Sequence, residues 1–230
     1  MFDGKMKALT FSYDDGVTQD VRLIEILNRY GLKATFNLNS GLFGQQRMLQ
    51  VRGVPVQHHR LAAKDIRYVY AGHEIAAHTL THAMLPACSE EEIVRQVEED
   101  RIALSELAGY EVVGMAYANG GENNNDEVAR IVKARTGVKY ARTIASTGSF
   151  DLQNNLFRFD PSVFHLHVDE LIALGEAFLN LKPEKPQLFY VWGHSYELDA
   201  EDTWGRFEEF CRMMSGRPDI FYGTNREVLL

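Results

Sequence analysis

Strand-like and helix-like stretches alternate along almost the whole chain, and this alternation limits the architecture more than any other feature. Residues 7–13 (Lys-Ala-Leu-Thr-Phe-Ser-Tyr) are apolar, aromatic and β-branched, as a buried strand requires. Asp14, Asp15 and Gly16 follow at once, and Thr18 or Asp20 is placed to cap a helix through Val21, Leu23, Ile24, Leu27 and Tyr30. Gly31 stops that helix, and residues 33–39 alternate as a second strand. Residues 40–60 carry Gly41, Gly44, Gly53 and Pro55 and read as a long excursion with room for a hairpin. A short helix over 61–70, ended by Gly72, leads to a third strand over 73–78. The capping-box pair Ser89 and Glu92 opens the clearest helix, which runs through Ile93, Val94, Val97, Leu104 and Leu107 to Gly109. Strands over 112–117, 138–144, 187–192 and 219–222 and helices over 126–134, 168–181 and 203–214 continue the pattern. Residues 146–167 look irregular, and 227–230 form only a stub. Seven strands alternating with helices and no internal linker predict one α/β domain over residues 1–230, a parallel barrel, with a doubly wound open sheet as the competing arrangement.

Composition narrows the class. At 230 residues, 45% of them hydrophobic and 24% charged, the chain can bury one sizeable core. A net charge of −8 with scattered Lys and Arg argues against a nucleic-acid partner. The first residues lack the apolar run of a signal peptide and no later segment has the length of a membrane span, so the expectation is a cytoplasmic protein with no membrane partner. Cys88 and Cys211 lack the paired spacing of a structural zinc site or a disulfide framework and read as reduced packing thiols. The sequence sets no oligomeric state.

Two stretches carry chemistry. Successive side chains of an extended segment point to opposite sides, so Asp14 and Asp15 can flank one reaction centre, one holding a metal and the other handling a proton. A solvated turn with a helix cap is the alternative for that pair alone. In His78-Thr79-Leu80-Thr81-His82, two histidines four apart meet on one face if the chain makes a helical turn. Asp15 is the natural third ligand, because strand C-termini converge on one face of a barrel and both stretches follow strands. Two histidines and a carboxylate leave coordination positions open for water and substrate. A non-haem iron oxygenase uses the same ligand types, but Asp14 beside Asp15 and the α/β pattern argue against one.

The ordered set Ser12-Tyr13-Asp14-Asp15-Gly16, then His78 to His82, then Gly193-His194-Ser195 resembles the NodB-homology polysaccharide deacetylases, carbohydrate esterase family 4, from residue 7 to about residue 195. The resemblance implies a distorted (β/α)7 barrel, Asp14 as general base, and Asp15, His78 and His82 as ligands of one divalent ion, zinc first, with cobalt or nickel as alternatives. It also implies His194 as general acid and an oxyanion hole completed by the backbone N–H of Tyr117, with Asn119 beside it as a substrate contact. The expected reaction is metal-dependent removal of acetyl groups, N-deacetylation of an amino sugar or of an oligosaccharide or polysaccharide. O-acetyl ester hydrolysis, allantoinase-like opening of a cyclic amide, and a non-catalytic carbohydrate-binding role are the alternatives. The expected partner is thus an acetylated carbohydrate or a small amide. The family's third motif, Arg-x-Pro-Tyr/Phe-Gly, is where the chain departs: residues 114–120 (Gly-Met-Ala-Tyr-Ala-Asn-Gly) contain neither arginine nor proline. Arg142, near the end of the strand over 138–144, can supply the missing guanidinium, with a structural salt bridge as the other reading. Tyr196 and Glu197 can orient His194. His165 and His167 are expected at the surface, with lining of the substrate cleft as the other reading; Trp204 and Phe207 are expected in the core, and His58 and His59 receive no role.

Overall fold

The first strand, β1 (Lys7–Asp14), is buried at every residue, and the chain is arranged about it in a computed structural model that describes residues 2–230. In chain order there follow α1 (Asp20–Arg29), β2 (Ala34–Leu38), β3 (Gln46–Val51), β4 (Val54–His59), α2 (Ile66–Val69), β5 (Glu74–Ala77), α3 (Glu90–Ala108), β6 (Gly114–Ala116) and α4 (Asp126–Arg135). The second half comprises β7 (Tyr140–Arg142), β8 (Val163–Phe164), α5 (Val168–Asn180), β9 (Gln187–Gly193), α6 (Ser195–Ala200), α7 (Trp204–Met214), β10 (Ile220–Tyr222) and α8 (Asn225–Leu229).

The main sheet runs β7-β6-β5-β2-β1-β9-β8, with every neighbouring pair parallel. Pairing with β9 extends along β1 from Lys7 to Tyr13, while the opposite edge of β1 is shared, β10 taking Lys7 to Leu9 and β2 taking Phe11 to Asp14. The sheet curls until Phe159, ahead of β8, forms a parallel bridge with Arg142 of β7. Thr143 N–H donates to the Phe159 carbonyl and Phe159 N–H to that of Ala141, both at 3.0 Å. This contact joins the two ends of the curled sheet. The architecture is therefore the distorted (β/α)7 barrel, and the open doubly wound sheet is excluded.

Alternation along β1 separates two environments. Leu9, Phe11 and Tyr13 enter the apolar core with Phe36, Phe207 and Phe210, where Phe11 and Tyr13 meet Phe207 edge-on. Thr10, Ser12 and Asp14 instead join a hydrogen-bonded polar column. Thr10 Oγ1 donates to Asn225 Oδ1 at 2.9 Å, and Ser12 Oγ meets the nitrogens Asn37 Nδ2, Arg142 Nε and Asn225 Nδ2 at 2.9, 3.1 and 3.2 Å. Glu74 lies in the same network, accepting from Thr35, Tyr140 and the Arg226 N–H. Buried polar groups are tolerated when they are paired in this way. Both faces of β2 are buried for the same reason: Thr35 and Asn37 take part in the column while Phe36 packs outward.

Several local expectations change. Asp20 does not cap α1; it is the first residue of that helix, wholly buried, and accepts from Tyr70 OH at 2.7 Å and Ser195 Oγ at 2.5 Å. The helix expected over 61–70 shrinks to the single turn of α2. The irregular stretch contains β8, and α6 and α8 lie where no helix was expected. The excursion over 40–60 does form a hairpin, β3 against β4. Cys88 and Cys211 are free. No helix among the described residues is long and apolar enough to cross a membrane.

Candidate active site

The C-terminal ends of β1, β5 and β9 deliver the chemistry-bearing residues to one cavity of about 320 Å³, which Asp14, Asp15, His78, His82 and His194 all line. Directly after β1 the backbone turns through two left-handed residues, Asp15 at φ +84° and Gly16 at φ +68°. Gly16 is needed on a second ground, since a Cβ there would lie 2.7 Å from Leu38 Cδ2.

Asp15, His78 and His82 each offer one donor atom, and all three atoms lie within 4.8 Å of one another. The donor set suits a divalent cation. His78 Nδ1–H donates to the Ala116 carbonyl at 2.9 Å, which leaves the Nε2 lone pair for a ligand. Burial holds the pKa of His78 below the usual histidine value and pushes that of His82 down to about 4. Burial also pulls Asp15 upward, but His58, His194 and Arg60 outweigh it and keep the carboxyl well below its ordinary range. The two histidines meet through a tight turn with left-handed Thr79 and His82, φ +66° and +60°, rather than through the helical turn that their spacing suggested.

The sequence reading missed what holds these three residues. His58 Nε2 lies 3.0 Å from Asp15 Oδ2 and Arg60 Nη2 lies 3.0 Å from Asp15 Oδ1. Arg60 Nη1 also donates to the Asp15 carbonyl and, at 2.6 Å, to Asn39 Oδ1. Asn39 Nδ2 in turn donates to the carbonyls of His78 and Thr79. One buried guanidinium thus connects the segment of Asp15 with that of His78 and Thr79. No local sequence signal marks it, because His58 and Arg60 return to Asp15 on the β3–β4 hairpin.

Asp14 lies against Arg142, whose Nη2 is 2.5 Å from each carboxylate oxygen; Asn37 Nδ2 donates to Oδ1 at 2.8 Å. Burial raises the Asp14 pKa, but Arg142, His78 and His194 prevail and hold it below the usual value. The Nε2 atoms of His78 and His194 each lie 3.9 Å from Asp14 Oδ2.

His194 Nδ1 sits 3.1 Å from Glu197 Oε2, the same oxygen that takes the His194 N–H at 3.1 Å and His165 Nε2 at 3.0 Å. Burial lowers the His194 pKa, yet Glu197 together with Asp15 and Asp14 raises it to about 9, and Glu197 itself falls to about 2. His165, expected at the surface, is wholly buried, with Nδ1 3.2 Å from Tyr13 OH; His167 is exposed beside Glu170. The third stretch also departs from expectation. Tyr117 N–H donates to the Arg142 carbonyl at 3.0 Å, so the donor implied for an oxyanion hole is already used inside the sheet. Tyr117 OH donates to Phe157 O, and Asn119 Nδ2 to His82 O, which makes Asn119 a support for the turn from His78 to His82 as well as a residue of the cavity wall.

The parallel barrel thus brings an Asp-His-His set, with Asp14 and His194 beside it, to one cavity at the strand C-termini. The chain belongs to the polysaccharide deacetylase family, whose model it matches over residues 2–141. No curated protein matches it. Among solved structures, a candidate polysaccharide deacetylase from Mycobacterium smegmatis superposes with TM-score 0.65 at 18% identity, over 98% of this chain and 90% of that one. A family 4 carbohydrate esterase pseudoenzyme from Bacillus anthracis gives TM-score 0.59 at 19% identity, over 97% of this chain and 66% of its own. The deacetylase PplD of Streptococcus pyogenes, crystallised with acetate, gives TM-score 0.51 at 20% identity over 65% of this chain, and only 61% of its length is covered. At these identities the likeness concerns the fold alone.

Proposed function

We propose that this chain is a divalent-metal-dependent deacetylase that hydrolyses the N-acetyl group of an amino sugar or of a glycan containing one. The observation that carries the reading is the placing of Asp15, His78 and His82 within 4.8 Å of one another, beside an Asp14 held by Arg142 and a His194 held by Glu197. A cation bound by the three donors, zinc first, supplies Lewis acidity for a water and for the acetyl carbonyl. Asp14, kept ionised by Arg142, takes the water proton as the water oxygen adds to the carbonyl carbon. His194, protonated at neutral pH, gives its proton to the sugar nitrogen as the C–N bond breaks, releasing acetate and a free amine. Arg142 serves as the positioning residue for Asp14 that the third motif lacks.

The pseudoenzyme relative raises the alternative of a fold kept without turnover. Asp14 and His194 in place, each with its own charged partner, favour catalysis. Elemental analysis of the purified protein, paired with acetate release from N- and O-acetylated sugars and from cyclic amides, tests the reading in wild type and Asp14→Ala. About one metal per chain and N-acetyl hydrolysis that vanishes in the variant are expected. Release from O-acetyl or cyclic-amide substrates alone would move the assignment within the superfamily, and protein that takes up no metal would overturn it.

A further inference from the structure

We infer that Arg47 makes this site selective for acetylated sugars that carry an anionic group, a carboxylate or a phosphate, close to the acetyl group; this rests on the deacetylase reading above. Arg47, on β3, lines the same cavity as Asp14, Asp15, His78, His82 and His194. It faces His58 across the hairpin, and its Nε donates to His58 Nδ1 at 3.3 Å. That bond ties the stem of this exposed side chain to the residue that grips Asp15 and keeps the guanidinium beside the cavity.

The distal part of the group is uncommitted. Among the described residues Arg47 enters no ion pair, whereas Arg52 at the hairpin turn meets Glu201 and Arg60 meets Asp15. No hydrogen bond from either Nη is formed. The planar fork of the guanidinium matches carboxylate and phosphate oxygens, and the chain's own carboxylates leave it free at the cavity wall. Leu49, Tyr117, Ile144, Trp192 and Tyr196 supply apolar and aromatic wall around it, suited to the faces of a sugar ring. A carboxylate or phosphate on the substrate would fill the contact that the two Nη atoms leave open.

A purely structural Arg47, serving only to hold His58, would affect all substrates alike, so the test compares substrates. Zinc-loaded wild type, Arg47→Ala and Arg47→Lys are assayed for acetate release from N-acetylglucosamine, its 1-phosphate and N-acetylmuramic acid. The same sugars are titrated calorimetrically into Asp14→Asn with and without Arg47→Ala, which reads binding without turnover. Wild type should prefer at least one charged sugar. The charged-to-neutral ratio of kcat/KM and of affinity should fall about ten- to hundredfold in Arg47→Ala and less in Arg47→Lys, and whichever charged sugar responds identifies the anion. Equal ratios in wild type and Arg47→Ala, or no preference for either charged sugar in rate or affinity, would overturn the inference. Absence of acetate from every sugar would count against the deacetylase reading instead, leaving the binding ratios to decide Arg47.

Discussion

Arg142 and Asp14 lie 128 residues apart in the chain, yet one guanidinium nitrogen is 2.5 Å from both oxygens of the carboxylate. Ser12 accepts from Nε of the same arginine, the Thr143 carbonyl accepts from Nη1, and the Trp192 ring lies 4.7 Å beneath Cζ. The geometry needs a planar fork, which lysine lacks. Arg142→Lys should therefore bind zinc at wild-type stoichiometry while kcat falls about a hundredfold or more. Arg142→Ala should also lose about 3–5 kcal/mol of stability, because the buried Asp14 then loses the cation that touches both of its oxygens. Steady-state kinetics, metal analysis and chemical denaturation check both; a Lys variant with wild-type kcat would remove Arg142 from the mechanism.

Glu197 should govern the alkaline side of the activity profile. His194 with a pKa of about 9 stays protonated through neutral pH and loses its proton above that. Its charged pairing adds stability that is complete below the ordinary histidine value and disappears as pH rises through about 9. In Glu197→Gln the alkaline limb of kcat/KM should move acidward by about one pH unit or more. A limb that stays in place would mean that another group is the acid.

Arg60 should matter for metal affinity more than for folding. It binds the side chain and carbonyl of Asp15 and, through Asn39, the carbonyls of His78 and Thr79. Arg60→Gln should weaken zinc binding by about ten- to hundredfold, the usual effect of removing a partner behind a ligand. Competition with a chromophoric chelator measures it, with circular dichroism as the control for fold; unchanged affinity in a folded variant would reduce Arg60 to a packing residue.

Asp20 should give stability a distinctive pH slope. Burial lifts its carboxyl from 3.8 to about 7, although Ser195 and Tyr70 donate to it. The folded protein then holds this proton across a range where the unfolded chain has lost it, so stability falls as pH rises from about 4 to about 7. Asp20→Asn, an isostere of the neutral acid, should show a shallower fall in Tm over that window. Asp100, likewise pushed up to about 7, contributes equally to both proteins, so the difference between the two slopes isolates Asp20. Coincident slopes would show that Asp20 is ionised in the folded state.

The barrel was readable because parallel strands buried on both sides leave strong apolar runs, as β9 does, or alternate large apolar with small polar residues, as β1 does. Short elements escaped: β8 has two residues and α6 six, too few for a periodic signal. At the site, Asp14, Asp15, His78, His82 and His194 stand in compact motifs, whereas their supports are scattered. His58 and Arg60 return on a hairpin, and His165 reaches Glu197 from an irregular stretch. No local pattern encodes that β4 folds back over the end of β1, so the residues holding Asp15 became visible only in three dimensions. Arg142 was legible for a narrower reason: a guanidinium was missing from one motif and available at a neighbouring strand end.

Four non-glycine residues with positive φ, Asp15, Thr79, His82 and Asn119, cluster around the cavity. Glycine would adopt each of these conformations with less strain. A procedure that repaired the chain one residue at a time for thermal tolerance would be drawn to these same positions, and glycine there would remove two of the three donors proposed for the metal and the Asn119 bond to the His82 carbonyl. Resistance to heat and capacity for chemistry compete here at identifiable backbone positions, and any attempt to harden this protein should leave those four untouched and seek its gains on the helical outer layer.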